Sequence, residues 1–211
     1  MIFLKVQNAS KIYHYDAFPV FENISFELKQ GETASIILGE CSGKTTIAKV
    51  LIGLEKLTSG AIIYMDKPLE QIAPNQREIA FVSVPSVFDK GKVKDNVAYG
   101  LKVRGVDKKT AFEISLNQLK KYGLEDKLNT LVKKLSLYER FKLDLARAFC
   151  RKVSLLILDD CFQKDDDVDA FLKKEIPSFQ EQGCAVLNLC NEKQQAIGTV
   201  YDFLPAYEKQ N

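Results

Sequence analysis

The chain has 211 residues, which suits one large α/β domain or a core carrying one inserted subdomain. Thirty lysines and arginines face 28 acidic residues, and a net charge of +2 gives no electrostatic case for nucleic acid or an anionic membrane as a partner. The five cysteines (41, 150, 161, 184 and 190) form no CxxC pair and read as free thiols in a reducing compartment.

The first 30 residues alternate between apolar and polar, in Phe3-Leu4-Lys5-Val6 and again over 20–28, as two antiparallel strands joined near Tyr13 to Pro19 would. Gln30-Gly31 turns the chain into an apolar run, Ser35-Ile36-Ile37-Leu38. Gly43-Lys44-Thr45-Thr46 follows and opens a helix-like segment over 47–54. Thr58-Ser59-Gly60 reads as a turn before a strand at 61–65, and 79–84 reads as a short buried strand. Asp107 is a good N-cap for a helix to about Tyr122, with Phe112, Leu116 and Leu119 as its apolar stripe and Gly123 as its stop. A second helix is expected over 138–150. Leu155-Leu156-Ile157-Leu158 then runs into Asp159-Asp160, followed by a helix at 168–180 and a strand at 185–189. Residues 90–150 thus form a mostly helical insertion between the core halves, 1–89 and 151–211. The lysines at 108, 109, 120, 121, 133 and 134 alternate with acids and apolar residues, as on a solvated helical face.

A strand, a Gly-Lys-Thr loop, a helix, and a later apolar strand ending in carboxylates make the layout of a P-loop nucleoside-triphosphatase. In that layout Lys44 reaches the β- and γ-phosphates, Thr45 and Asp159 hold Mg²⁺, and backbone N–H groups at the helix start receive an anion. The spacing Gly39-Glu40-Cys41-Ser42-Gly43-Lys44 is one residue short of the usual G-x-x-x-x-G-K.

Three stretches extend this to a family: 21–32 followed by 43–60, then 96–106, then 143–160. In order and spacing they resemble the ATPase subunit of ABC transporters, closest to the importer type. The resemblance covers nearly the whole chain. It implies an α/β fold with a RecA-like P-loop core, an N-terminal antiparallel β subdomain and an inserted α-helical subdomain. It also implies ATP and Mg²⁺ as ligands, and head-to-tail dimerisation with an identical or different ABC ATPase subunit. Transmembrane transporter subunits would be further partners, with no nucleic acid involved. Such a protein is expected to be cytoplasmic, at the inner face of the membrane through its partner. The N-terminus is expected to be too short for a signal peptide. The chain's end soon after Tyr201-Asp202 is expected to leave no room for an extra regulatory β domain.

Counted from Gly31-Glu32, the phosphate loop keeps the family's length, with Leu38 at the first glycine position and Cys41 at a later one. By resemblance Cys41, Ser42, Gly43, Lys44, Thr45 and Thr46 line the nucleotide. Tyr13 is the residue aligned with adenine stacking, with Tyr15 as the alternative. Asp160 takes the position of the catalytic glutamate, one methylene and so about 1.5 Å shorter. Loss of a positioned base slows such chemistry by ~10²–10⁴-fold. The family's LSGGQ signature reads Leu135-Ser136-Leu137-Tyr138-Glu139, which is expected to serve only as a helix start. Ser83 or Val84 stands where the family has its glutamine. Cys190 stands at the switch histidine, and the lone His14 lies near the N-terminus. Asp165-Asp166-Asp167 fits a solvated helix start. Three functions follow: a subunit that binds Mg-ATP with weak or no hydrolysis, an import ATPase with atypical residues, or a non-catalytic scaffold.

Overall fold

The computed structural model of the chain describes residues 2–13, 18–84, 86 and 90–204. In chain order its strands and helices are β1 (Ile2–Lys11), β2 (Phe21–Lys29), β3 (Thr33–Ile37), α1 (Lys44–Ile52), β4 (Ser59–Tyr64), β5 (Lys67–Pro68), β6 (Ile79–Ser83), α2 (Val93–Val103), α3 (Lys108–Lys121), α4 (Leu137–Ala148), β7 (Leu155–Asp159), α5 (Asp166–Glu181), β8 (Ala185–Cys190) and β9 (Thr199–Asp202).

Period-2 alternation makes the N-terminal sheet, whose order is β2-β1-β4-β5 with every pairing antiparallel. Its inward residues, among them Leu4, Val6, Phe26, Leu28 and Ile62, are buried. The second sheet is parallel throughout, in the order β6-β7-β8-β3-β9. Its inner strands are covered on both faces, which is why β3, β7 and β8 are buried along their whole length. Alternate residues of β7 serve two cores. Leu155 and Ile157 join the core shared with α1 and the antiparallel sheet, while Leu156 and Leu158 join the core shared with α4 and α5.

The helices α2, α3 and α4 fall between β6 and β7 in the chain. Asp107 caps α3, accepting from the N–H groups of Lys109 and Thr110. Three local readings need correction. The buried stripe of α3 is Ala111, Ser115 and Leu119, and Phe112 is 42% exposed. Residues Ser59 and Gly60 are part of β4 rather than a turn, because Ser59 pairs with Ser10 of β1. There Gly60 has φ +90 and lies so close to β1 that a Cβ would come 2.4 Å from the Asn8 carbonyl oxygen. Finally, α1 starts at Lys44 rather than three residues later. Among the described residues, no helix is long and apolar enough to cross a membrane.

Candidate functional site

Parallel strands deliver their carboxyl ends to one edge, where the chain leaves the sheet and side chains become free to converge. Cys190 pairs with Ile37, and Leu189 with Asp159. The loop after β3, the pair Asp159-Asp160 and Asn191 therefore meet at one edge.

The loop from Leu38 to Gly43 is wound by left-handed backbone at Gly39 (φ +73), Cys41 (φ +56) and Gly43 (φ +87). Gly43 is required twice over: by its φ, and because a Cβ would lie 2.7 Å from Val20 Cγ1 and 2.9 Å from Phe21 Cδ1. Cys41 accepts the same strained conformation with its thiol exposed. The Ser42 hydroxyl donates to the Glu40 carbonyl at 3.0 Å. No side chain caps α1, which leaves its first-turn N–H groups without a side-chain acceptor.

Lys44 is only 6% exposed. Its ammonium donates to the Gly39 carbonyl at 2.8 Å and to Asn191 Oδ1, with Asp160 Oδ2 3.9 Å away. The Thr45 hydroxyl donates to Asp159 Oδ2 at 2.6 Å across 114 residues of sequence. Asp159 is 5% exposed, and its other oxygen has no hydrogen-bond partner among the described residues. Burial pushes its carboxyl above the ordinary value and Asp160 adds to this, while Thr45, Lys44 and Lys49 pull it down. Asp160 sits at φ +51, its N–H bound to the Leu189 carbonyl and its Oδ1 accepting from Asn191 Nδ2 at 3.3 Å. Thr46 Oγ1 lies 3.3 Å from the Tyr13 hydroxyl. The Tyr13 ring is 47% exposed, with the Lys11 ammonium 4.9 Å from its centroid. Lys44, Thr45, Thr46, Asp159, Asp160 and Tyr13 are thus gathered around the start of α1. Tyr15 and His14 lie outside the described residues.

The remaining motif positions have structural partners. Cys190 is buried, its thiol directed at the Ile36 carbonyl and pushed up to about 12 by burial. Ser136 caps α4 by accepting from the Glu139 N–H, and Glu139 returns a bond to the Ser136 N–H. Glu139 also pairs with Lys127 at 2.5 Å. The Tyr138 ring packs edge-on against Phe171 of α5, with centroids 6.0 Å apart. Asp165 caps α5. Val84 is buried, and Pro85 and residues 87–89 lie outside the described residues. From Thr45, Asp159 and Asp160 a cleft of about 1110 Å³ opens past α1 towards α2 and α4.

Two features of the site escape a motif reading. Asn191 follows the position searched for a histidine, yet it is the side chain that touches both Lys44 and Asp160. Asp144, set in the apolar sequence Leu143-Asp144-Leu145, is buried and pairs with Arg147 at 3.0 Å on the wall of the cleft. Burial raises its carboxyl, and Arg147 opposes that. A charged residue on an otherwise apolar helix face is the signal that could have flagged it.

Residues 21–163 match the family model described as ABC transporter. Among curated relatives, the lipoprotein-releasing system ATP-binding protein LolD of Buchnera aphidicola is 35% identical over 168 residues, covering 75% of this chain and 74% of that protein. The spermidine/putrescine import ATP-binding protein PotA of Mycoplasma mycoides is 29% identical over 197 residues. That match takes in 92% of this chain and only 56% of the longer relative. The taurine import ATP-binding protein TauB of Escherichia coli O157:H7 is 29% identical over 188 residues, 87% of this chain and 72% of that protein. Among solved structures, cbiO1 from Clostridium perfringens, part of the ABC transporter complex cbiONQ, superposes with a TM-score of 0.73 at 22% identity, over 90% of this chain and 79% of that one. A nucleotide-free ATP-binding cassette of an ABC transporter gives 0.75 at 16% identity, over 92% and 83%, which speaks to the fold alone. A family match across most of the chain and a relative 35% identical over three quarters of it make this protein a member of the ABC transporter family, of the kind that forms its ATP-binding subunits.

Proposed function

We propose that this protein is the ATP-binding subunit of a membrane transporter, and that it binds Mg-ATP while hydrolysing it weakly or not at all. The observation that carries the binding half is the Thr45–Asp159 pair beside Lys44. Asp159 keeps one buried oxygen without a partner among the described residues, an arrangement that suits a cation better than it suits an empty protein. Among those residues no cluster of three His, Cys, Asp or Glu side chains could cage a metal. Mg²⁺ usually rests on one or two protein ligands, with waters and phosphates supplying the rest. Asp159 and Thr45 would hold the ion, which would neutralise negative charge on a bound triphosphate. Lys44, Ser42, Gly43 and Thr46 would line the phosphates, with Cys41 at the loop's edge and Tyr13 towards the base.

Weak turnover rests on what surrounds the same atoms. Asp160 is a short carboxylate already engaged by Asn191, and no histidine stands at Cys190. At the family's signature position, Glu139 is committed to the helix cap and Lys127, and Tyr138 to Phe171. A negative side chain there would meet a partner's triphosphate unfavourably. In a dimer each site joins one subunit's phosphate loop to the other's signature. An intact partner would therefore complete only half of each site. The partners are another ABC ATPase subunit, identical or different, and transmembrane subunits that hold the protein at the inner face of the membrane. Residues 90–150 would be the helical subdomain of a single domain.

Phosphate release tests the reading. It is expected to stay at background with the isolated protein and with an assembled complex whose partner ATPase subunit is inactivated. A steady rate abolished by Lys44→Ala would overturn it and favour an active import ATPase.

A further inference from the structure

Asn191 is held at this edge through its neighbours in the chain. Its backbone N–H donates to Gln195 Oε1 at 2.9 Å. The Gln195 carbonyl accepts from Asn188 Nδ2 at 2.8 Å, and the same amide donates to Ser35 Oγ at 3.1 Å. Ser35 Oγ in turn accepts from the Ile197 N–H at 2.7 Å and donates to the Ile197 carbonyl at 2.8 Å. Ser35 and Asn188 are fully buried and Gln195 nearly so. Asn188 Oδ1 has no partner among the described residues, but the bonds that are made tie the segment after β8 to Ser35 of β3.

That network aims one carboxamide between two opposite charges. Its oxygen takes a bond from the Lys44 ammonium and its nitrogen gives one to Asp160 Oδ1, while the charges themselves stand 3.9 Å apart. An ammonium and a carboxylate at this range attract more strongly at a partly buried site than they would in water. With nothing between them they would close to direct contact. A lysine captured by a carboxylate is lost to a phosphate, and a carboxylate drawn into the loop repels one.

We infer that Asn191 is a positioning residue: its carboxamide holds Lys44 and Asp160 as a bridged pair and so keeps Lys44 available to a phosphate ligand. The inference rests on the reading of Lys44 as the phosphate-binding lysine given above, but the bridge itself belongs to the protein without ligand.

A double-mutant cycle on Asn191→Ala and Asp160→Ala tests it, read in two ways on the whole chain. In urea unfolding without nucleotide, the two effects on the unfolding constant should fail to multiply by at least threefold. Effects that multiply would overturn the bridge. In calorimetric titration with Mg-ATP, Asn191→Ala should weaken binding at least tenfold. The double variant should return to within threefold of Asp160→Ala alone, because the competing carboxylate is gone. An equal loss with and without Asp160 would make Asn191 a merely structural residue and overturn the inference. Coupling in the unfolding cycle together with no binding by wild type would sustain the bridge and sink the ATP-binding reading instead.

Discussion

Asp159→Asn separates what the site does for the fold from what it does for a ligand. In the wild type one carboxylate oxygen takes the Thr45 hydroxyl at 2.6 Å, and the other is buried without a partner among the described residues. A buried, unsatisfied acceptor costs about 1–3 kcal/mol, more when charged. Asparagine keeps the shape and can still accept from Thr45, but it leaves an amide N–H₂ in the unpartnered place. That place still costs, but it no longer holds a buried charge, so the net gain is about 1 kcal/mol. For a chain of this size that raises Tm by about 2–4 °C. The sign follows from the shift: burial raises the Asp159 carboxyl in the fold, so its ionised form costs stability at neutral pH. The advantage of the variant should be largest above the folded-state value and fade as pH falls into the ordinary carboxylate range. Calorimetric scans at pH 7 in chelator measure the gain, and scans with saturating Mg-ATP measure the loss. Wild type should gain about 2.7 kcal/mol at a ligand concentration 100 times Kd, and the variant should lose the Mg²⁺-dependent part of that gain. A variant less stable than wild type in chelator, or stabilised equally by Mg-ATP, would refute the reasoning.

Gly43→Ala should destabilise the fold by about 2–5 kcal/mol in urea titrations, from left-handed backbone plus the collision with Val20 and Phe21. An unchanged midpoint would show that the loop relaxes. Glu139→Gln keeps the reciprocal cap on α4 but removes the charge facing Lys127. The Lys127 bond and the Ser136 N–H hold the Glu139 carboxyl below its ordinary 4.5. The wild-type advantage should therefore be complete above that value and disappear as pH falls through the lower folded one. A Tm difference that does not change between pH 7 and pH 3 would contradict this.

Much of the site could be read from the chain because its parts are local or sit at strand ends. Gly43-Lys44-Thr45 announces itself by sequence, and the apolar run before Asp159 marks a strand buried on both faces. Thr45 and Asp159 meet because β3 and β7 flank β8 in one parallel sheet. Asn191 was not legible as a contact. Successive residues leaving a strand point to opposite sides, so Cys190 turns into the core and its neighbour turns to the site. The α2 helix was hidden inside a generally helical stretch. Its buried positions Val93, Val97, Ala98 and Leu101 keep helical spacing, but exposed Tyr99 and Val103 and an interior Gly100 blur the pattern. Phe112 misled because a large apolar side chain outweighs Ala111 and Ser115 in a periodicity reading, although the small residues are the ones that let α3 pack closely.

The measurement that bears most directly on the central claim is thermal unfolding of wild type and Lys44→Ala, each with and without millimolar Mg-ATP. A rise of several degrees in wild type that is lost in the variant is the expected result, and it would mean that the altered loop still grips a triphosphate through Lys44. No rise in either protein, or an equal rise in both, would contradict Mg-ATP binding at this site and turn attention to a scaffold that keeps the fold of its family without the ligand.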